Sequence, residues 1–334
     1  MENKPLLPSV LLSDGGIPLQ FGYSKKPIIQ NNPENIKHPF RYKEWDFYQV
    51  SDKDWTLQIT FGHVSYAGAI NAALFNYSGE RYEATLPLVL PMRKLGLAPS
   101  AGTSCHLQKH TKNLKIDIIV SEGKRAFDIA AKTKHGDCEI KLTLSYPADA
   151  EGILVVTPFG KPYEFYHNYK QSCMQAEGYA KFGDVKAVFE KDKSFGLIDW
   201  GRGILPFSHK WWWGNGSHKL EDGYFGFNIG VFGNTEFASE NAVFYNHRTH
   251  KLGRITYTRG ENYTDPWYFT SDDKRFEMAF TPIFDNYMTI KLLWVNNACH
   301  QVFGYFNGKV VLDDGKTLVI KDMLAFVEEA NNNW

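Results

Sequence analysis

The feature that most constrains this chain is the spacing of its turn signals. Short runs rich in aromatic and β-branched residues alternate with clusters of Gly, Asp, Asn, Ser and Lys, a pattern of strands joined by tight turns. Trp55 to Gly62 sets Trp55, Leu57, Ile59 and Phe61 against Thr56, Gln58 and Thr60, the two-residue period of a strand buried on one face. Ala67 to Phe75 and Arg81 to Leu88 flank Asn76-Tyr77-Ser78-Gly79, which reads as a hairpin turn. Leu114 to Ser121, Arg125 to Lys132 and Cys138 to Ser145 follow as three more strands, after a predicted loop from Pro87 to Gly102. Val310 to Leu312 and Leu318 to Ile320 turn about Asp313-Asp314-Gly315-Lys316. Only Asp322 to Ala330 carries a helical period, with Leu324, Phe326 and Val327 on one side, and predicts a short helix.

So many antiparallel strands must close or stack to remove their edges. The aromatic content of 15% fits that demand, because large rings pack well on a pleated surface. The prolines and glycines of residues 1–40 mark an irregular arm, with a short strand near Gln20 to Tyr23. Each half of the remainder holds about as many strands as one eight-stranded barrel. A short internal echo, Asn71 to Tyr77 against Asn241 to Asn246, supports two related units. The predicted organisation is therefore all-β: an arm at 1–40, a first β domain at 41–162 and a second at 163–334, each a barrel or barrel-like sandwich.

Lys+Arg and Asp+Glu both number 37, so no global field gathers nucleic acid or an anionic membrane. No apolar run approaches the roughly 20 residues of a membrane helix. The amino terminus lacks the apolar core of a secretory signal, so a cytoplasmic location is expected. Four widely separated cysteines without a C-x-x-C pair are expected to be free thiols.

One stretch is unlike the rest. Leu197 to Phe207 and Ser208 to Gly216 hold four of the nine tryptophans, with Asp199 and Arg202 three residues apart and Gly201 and Gly203 beside the arginine. These glycines permit close approach of a ligand or a neighbouring strand. Asp199 with Arg202 reads either as an acid and its partner at a cavity mouth or as a buried brace under Trp200. Trp211 and Trp213 share a strand face and form either an aromatic wall or a core plug.

The run Asp199-Trp200-Gly201-Arg202-Gly203 with Pro206, then Trp211-x-Trp213-Gly214, Phe227-Asn228-Ile229-Gly230, and Ser239-Glu240-Asn241-Ala242 with His250-Lys251-Leu252 resembles the family catalogued only as domain of unknown function 2804. Phe21-Gly22-Tyr23, Arg41-x-Lys43-x-Trp45-Asp46, Gly304 to Gly308 and Phe326-Val327-Glu328-Glu329 extend the resemblance over nearly the whole chain. More distantly, it is similar to the double lipocalin-like (calycin) proteins such as carotenoid hydratases. That similarity implies two lipocalin-like antiparallel barrels and a hydrophobic or amphipathic small ligand.

Proton-transfer chemistry in such a barrel needs an acid kept protonated by burial or a histidine near its own pKa. The candidate catalytic residues are Asp199, Arg202 and Glu240. The candidate ligand-binding residues are Trp200, Trp211, Trp213, His209, Asn228, Asn241 and Asp46. His247-x-x-His250 and His106-x-x-x-His110 lack a third ligand, so no metal site and no cofactor are expected. The expected function is binding of a hydrophobic or amphipathic molecule, with acid-assisted hydration or cyclisation. The alternatives are a non-catalytic carrier or structural β protein, and a glycan-binding or carbohydrate-active protein.

Overall fold

The computed structural model describes residues 4–65, 68–88, 96–233, 238–292 and 295–333. The chain is almost entirely β, in two curled antiparallel half-barrel sheets. Helix among the described residues is limited to single 3₁₀ turns at Pro33–Asn35 and Pro39–Arg41, and no helix is long and apolar enough to cross a membrane.

In the first sheet the central neighbours are Trp55–His63, Tyr42–Ser51, Phe195–Ile204, Phe165–Phe182 and Gly136–Ser145. Phe165–Phe182 carries a bulge between Gln171 and Met174, with Cys173 at φ 61°. The bulge bends this strand, so that its first part pairs with Ile153–Pro158 and its second with Gly136–Ser145. The second sheet is centred on Gly223–Val231, Ser208–Leu220, Thr317–Asn333, Val295–Val311 and Phe276–Leu292. Pairing passes from the first sheet to the second between Ile204 and Ser208, so the strands within 163–204 hydrogen-bond with the first sheet.

Each sheet wraps its own core. Ile198, Trp200, Phe127 and Ile140 lie in the first, and Phe227, Trp267, Phe280 and Phe306 in the second. A third apolar cluster, of Phe75, Leu197, Trp213, Phe303 and Phe326, joins the two sheets. The echoed segments fall in corresponding places: Gly68–Asn76 and Ala242–Tyr245 are each the second strand from an edge.

One expectation needs correction, and one strand is additional to those expected. Asp322 to Ala330 is not a helix but part of the strand Thr317–Asn333. Met323, Ala325 and Val327 enter the second core, while Phe326 joins the cluster between the sheets, so both faces are buried and tertiary packing overrides helix propensity. The strand Cys105–Thr111 is not predicted because it is a half-exposed edge of the first sheet, whose only apolar residues, Cys105 and Leu107, are too few to show a clear alternation. Of the predicted loop Pro87 to Gly102, residues 89–95 lie outside the described residues.

Candidate functional site

The strand Phe195–Ile204 turns alternate residues to opposite sides of the first sheet. Ile198, Trp200 and Ile204 enter the first core, whereas Leu197 joins the cluster between the sheets. Asp199 and Arg202, an odd number of residues apart, therefore lie on opposite faces and do not pair. Arg202 is fully buried beneath the sheet. Its Nη2 donates to Asp46 Oδ1 at 3.0 Å and to the Ala98 carbonyl at 3.1 Å, and its Nη1 donates to the carbonyls of Trp45 and Gly201. Its guanidinium lies 4.0 Å from the Trp200 ring centroid. Arg202, Trp200 and Asp46 thus form a brace inside the first core.

Asp199 borders a cavity of about 240 Å³ between the two sheets. The first sheet contributes Trp45, Phe47, Gln58, Tyr166 and Lys170 to its lining, and the second contributes Trp211, Trp213, Met288, Gln301 and Glu328. Phe232 and Glu240 complete one side. Glycine at 201 has a specific cause, since a Cβ there would overlap the Trp45 ring. Its absence lets the indole lie against the strand.

Glu328 is the most perturbed acid of this cavity. Its Oε1 accepts from Trp211 Nε1 at 2.6 Å and its Oε2 from Gln301 Nε2 at 3.3 Å. Gln301 is held in turn by Gln58, which donates to its Oε1 at 2.7 Å. Burial, reinforced by the charge of Asp199 and opposed by the bond from Trp211, pushes the Glu328 carboxyl up to about 7.

Lys170 stands directly across the ladder from Asp199. Its ammonium donates to Glu240 Oε2 at 2.6 Å and to the Tyr166 hydroxyl at 3.0 Å, and lies 4.9 Å from the Trp213 ring centroid. Burial and the Glu240 charge hold the Tyr166 phenol well above its usual range, so it stays protonated. Asp199 Oδ1 accepts from Asn168 Nδ2. The cavity thus joins an aromatic wall to an acid raised by burial, the Lys170–Glu240 salt bridge and the side chain of Asp199.

Among the residues singled out from sequence, Asp199, Glu240, Trp211 and Trp213 come together around this cavity. Asn228 lies behind it: its Oδ1 accepts from Trp213 Nε1 at 2.6 Å and its Nδ2 donates to the Glu240 carbonyl at 2.9 Å, which orients both. Asn241 accepts from the Gly230 N–H and donates to the Gly253 carbonyl, tying the end of the strand Gly223–Val231 to a loop. His209 flanks Trp211 with nearly parallel rings, its Nδ1 2.8 Å from the Pro206 carbonyl, and burial lowers its pKa. Trp200, Arg202 and Asp46 lie on the other side of the sheet.

Sequence reasoning missed Glu328, Lys170, Tyr166, Gln301 and Trp45 as site residues. Glu328 was hidden by the helical reading; read as a strand, Glu328 and Glu329 face opposite ways. Glu329 joins Tyr263 and Arg259 instead. Lys170 and Tyr166 lie four apart near the predicted start of the second domain, and no local signal sets Lys170 opposite Asp199. Among the described residues no group of three or more His, Cys, Asp or Glu is arranged for a metal; His106 and His110 both contact Asp117.

The fold is similar to that of an AttH-type protein from Nitrosomonas europaea, at TM-score 0.51 and 12% identity over 87% of this chain and 92% of that one. Kievitone hydratase from Nectria haematococca aligns at TM-score 0.49 and 11% identity, covering 87% and 88% of the two chains. CghA with Sch210972 aligns at TM-score 0.43 and 8% identity over the same shares. No curated protein matches the sequence. The profile of the domain of unknown function DUF2804 matches residues 3–334, and the chain belongs to that family.

Proposed function

We propose that the protein takes a small, largely apolar molecule into the cavity between the sheets and adds water to it, or closes a ring, with Glu328 as the acid. The observation that carries this reading is a carboxyl near its midpoint at neutral pH, in an aromatic cavity that also holds Asp199. An acid so tuned is suited to give up a proton and regain it within one cycle.

In hydration, Glu328 gives its proton to one carbon of a carbon–carbon double bond. The positive charge that develops is stabilised by the faces of Trp211 and Trp213 and by the Asp199 carboxylate. The oxygen of water bonds to the other carbon and its extra proton passes to Asp199, from which a proton returns to Glu328. In cyclisation a hydroxyl of the ligand takes the place of water. Tyr166 and Lys170 supply donors for a ligand oxygen. Only water and protons are exchanged, so the chemistry requires no cofactor. At about 240 Å³ the cavity falls below the roughly 300–1,000 Å³ of drug-sized sites, which favours a single-ring ligand or the reacting end of a longer one.

Quenching of the cavity tryptophans by a panel of unsaturated phenols and isoprenoid alcohols identifies compounds that bind. Each binder is then incubated in isotopically labelled water and analysed by mass spectrometry. The expected result is gain of one labelled water, or a product isomeric with the ligand, and Glu328→Gln retains binding while losing turnover at least a hundredfold. Binding without turnover in the unmodified protein establishes a carrier and refutes the catalytic reading.

A further inference from the structure

Arg125 is a buried cation far from the chemistry described above. It is the second residue of the strand Lys124–Thr133, with its side chain on the side of the first core and 3% exposed. Its Nη2 donates to the Ala101 carbonyl at 2.7 Å and its Nη1 to the Tyr48 hydroxyl at 3.3 Å. The guanidinium lies 5.8 Å from the Tyr48 ring centroid and 5.9 Å from that of Tyr146. Arg202 and Lys170 each have a carboxylate at hydrogen-bond distance. Among the described residues Arg125 has none, and the nearby Asp46 is committed to Arg202.

Two buried donors here make no hydrogen bond: Arg125 Nε and Gln171 Nε2. Gln171 is also only 3% exposed, and its Oε1 lies 3.5 Å from the Tyr169 hydroxyl, so its amide N–H groups are the part left over. A buried charge without a counter-charge and a buried amide without an acceptor are both unfavourable, and native proteins seldom keep them without a use. Arg125 and Gln171 line one cavity of about 330 Å³, together with Tyr146 and Tyr169 and with Lys26 and Glu122. The Lys26 ammonium is already held by the carbonyls of Asp149 and Ala150.

We propose that this cavity is a second ligand site, independent of the one between the sheets, that takes the carboxylate of a small organic acid. The guanidinium and the Gln171 amide offer N–H donors that the two oxygens of a carboxylate can accept, and the ligand supplies the negative charge that Arg125 lacks. Glu122 disfavours a second negative charge, which selects a monocarboxylate. The tyrosine rings and Val120 form a wall for an apolar body, and the volume is larger than an inorganic anion fills.

Isothermal titration calorimetry of the full chain with benzoate and hexanoate tests the site, with benzamide, hexanamide, acetate and inorganic phosphate as comparisons. At least one of the two acids binds, with its neutral amide and both small anions at least tenfold weaker. Arg125→Met reduces the affinity for that acid at least tenfold and Gln171→Leu several-fold. Because Arg125→Met removes an uncompensated charge, the Tm of the ligand-free variant stays level or rises, while the acid raises the Tm of the unmodified protein only. Failure of both acids to bind overturns the proposal, as does acetate or phosphate binding as tightly as the larger acid. A lower Tm in Arg125→Met with unchanged affinity also overturns it, by making the arginine a structural brace. If that variant does not fold, unchanged affinity in Gln171→Leu has the same force.

Discussion

Glu328→Gln should remove a defined part of the pH dependence of stability. The carboxyl is raised from 4.5 in the reference state to about 7 in the folded protein, and at about 1.4 kcal/mol per pKa unit this difference corresponds to ~3 kcal/mol. Below pH 4.5 the folded and unfolded chains both hold the proton, and nothing is lost. Between 4.5 and about 7 the unfolded chain has released it and the folded chain has not, so stability falls as pH rises. Above 7 both forms are ionised and the full difference is missing. Glutamine keeps an Oε1 for the Trp211 N–H but cannot ionise, so its stability lacks this step. Urea unfolding followed by tryptophan fluorescence at pH 4.5, 6, 7 and 8 gives the stability of both proteins. Subtracting variant from parent cancels the groups common to both. The parent-minus-variant stability should fall by about 3 kcal/mol over this window, because the folded parent there holds a proton that its unfolded chain has lost. A change below about 1 kcal/mol, or one of opposite sign, would refute the assignment of Glu328 as an acid held protonated by burial.

Asp199 and Arg202 should separate cleanly on mutation. Arg202→Met removes the counter-charge of Asp46 and of Glu44, whose Oε2 lies 3.7 Å from Arg202 Nε, and should cost about 3–5 kcal/mol; Asp199→Asn should change stability by less than about 1 kcal/mol, both read by thermal unfolding. Equal losses would contradict their placement on opposite faces. Gly201→Ala drives a methyl into the Trp45 ring and should cost about 1–3 kcal/mol, while weakening any ligand that quenches the cavity tryptophans. A stable Gly201→Ala protein with unaltered binding would show that Trp45 can withdraw without consequence. Lys170→Met should cost about 3–5 kcal/mol by leaving Glu240 buried and unpaired, and Lys170→Met with Glu240→Gln should recover part of that loss in the same assay.

How much of this molecule could be read from its residues depends on the range over which each determinant acts. Alternation along Trp55 to Gly62 and the turn at Asn76 to Gly79 are local, and they led directly to antiparallel strands. The density of tryptophan around Trp211 and Trp213 marked one wall of the cavity, because the two-residue period alone puts both on one face. The same period, applied to Asp199 and Arg202, separates them; reading them as a pair neglected the strand on which they lie. At Glu328 the local signal was misleading, since a segment of helix-forming residues can become a strand when both its faces are covered.

The sequence by itself determined an all-β chain of many strands, two barrel-like units and the aromatic stretch on which the site is built. Only the tertiary structure decided which charges meet. Lys170 faces Asp199 and Glu240, and Glu328 approaches Trp211, through strand registers and packing that join residues tens to more than a hundred positions apart. Side-chain periodicity tells each strand which residues share a face, but the burial that raises Glu328, and the partner each buried charge receives, exist only once the two sheets close on one another.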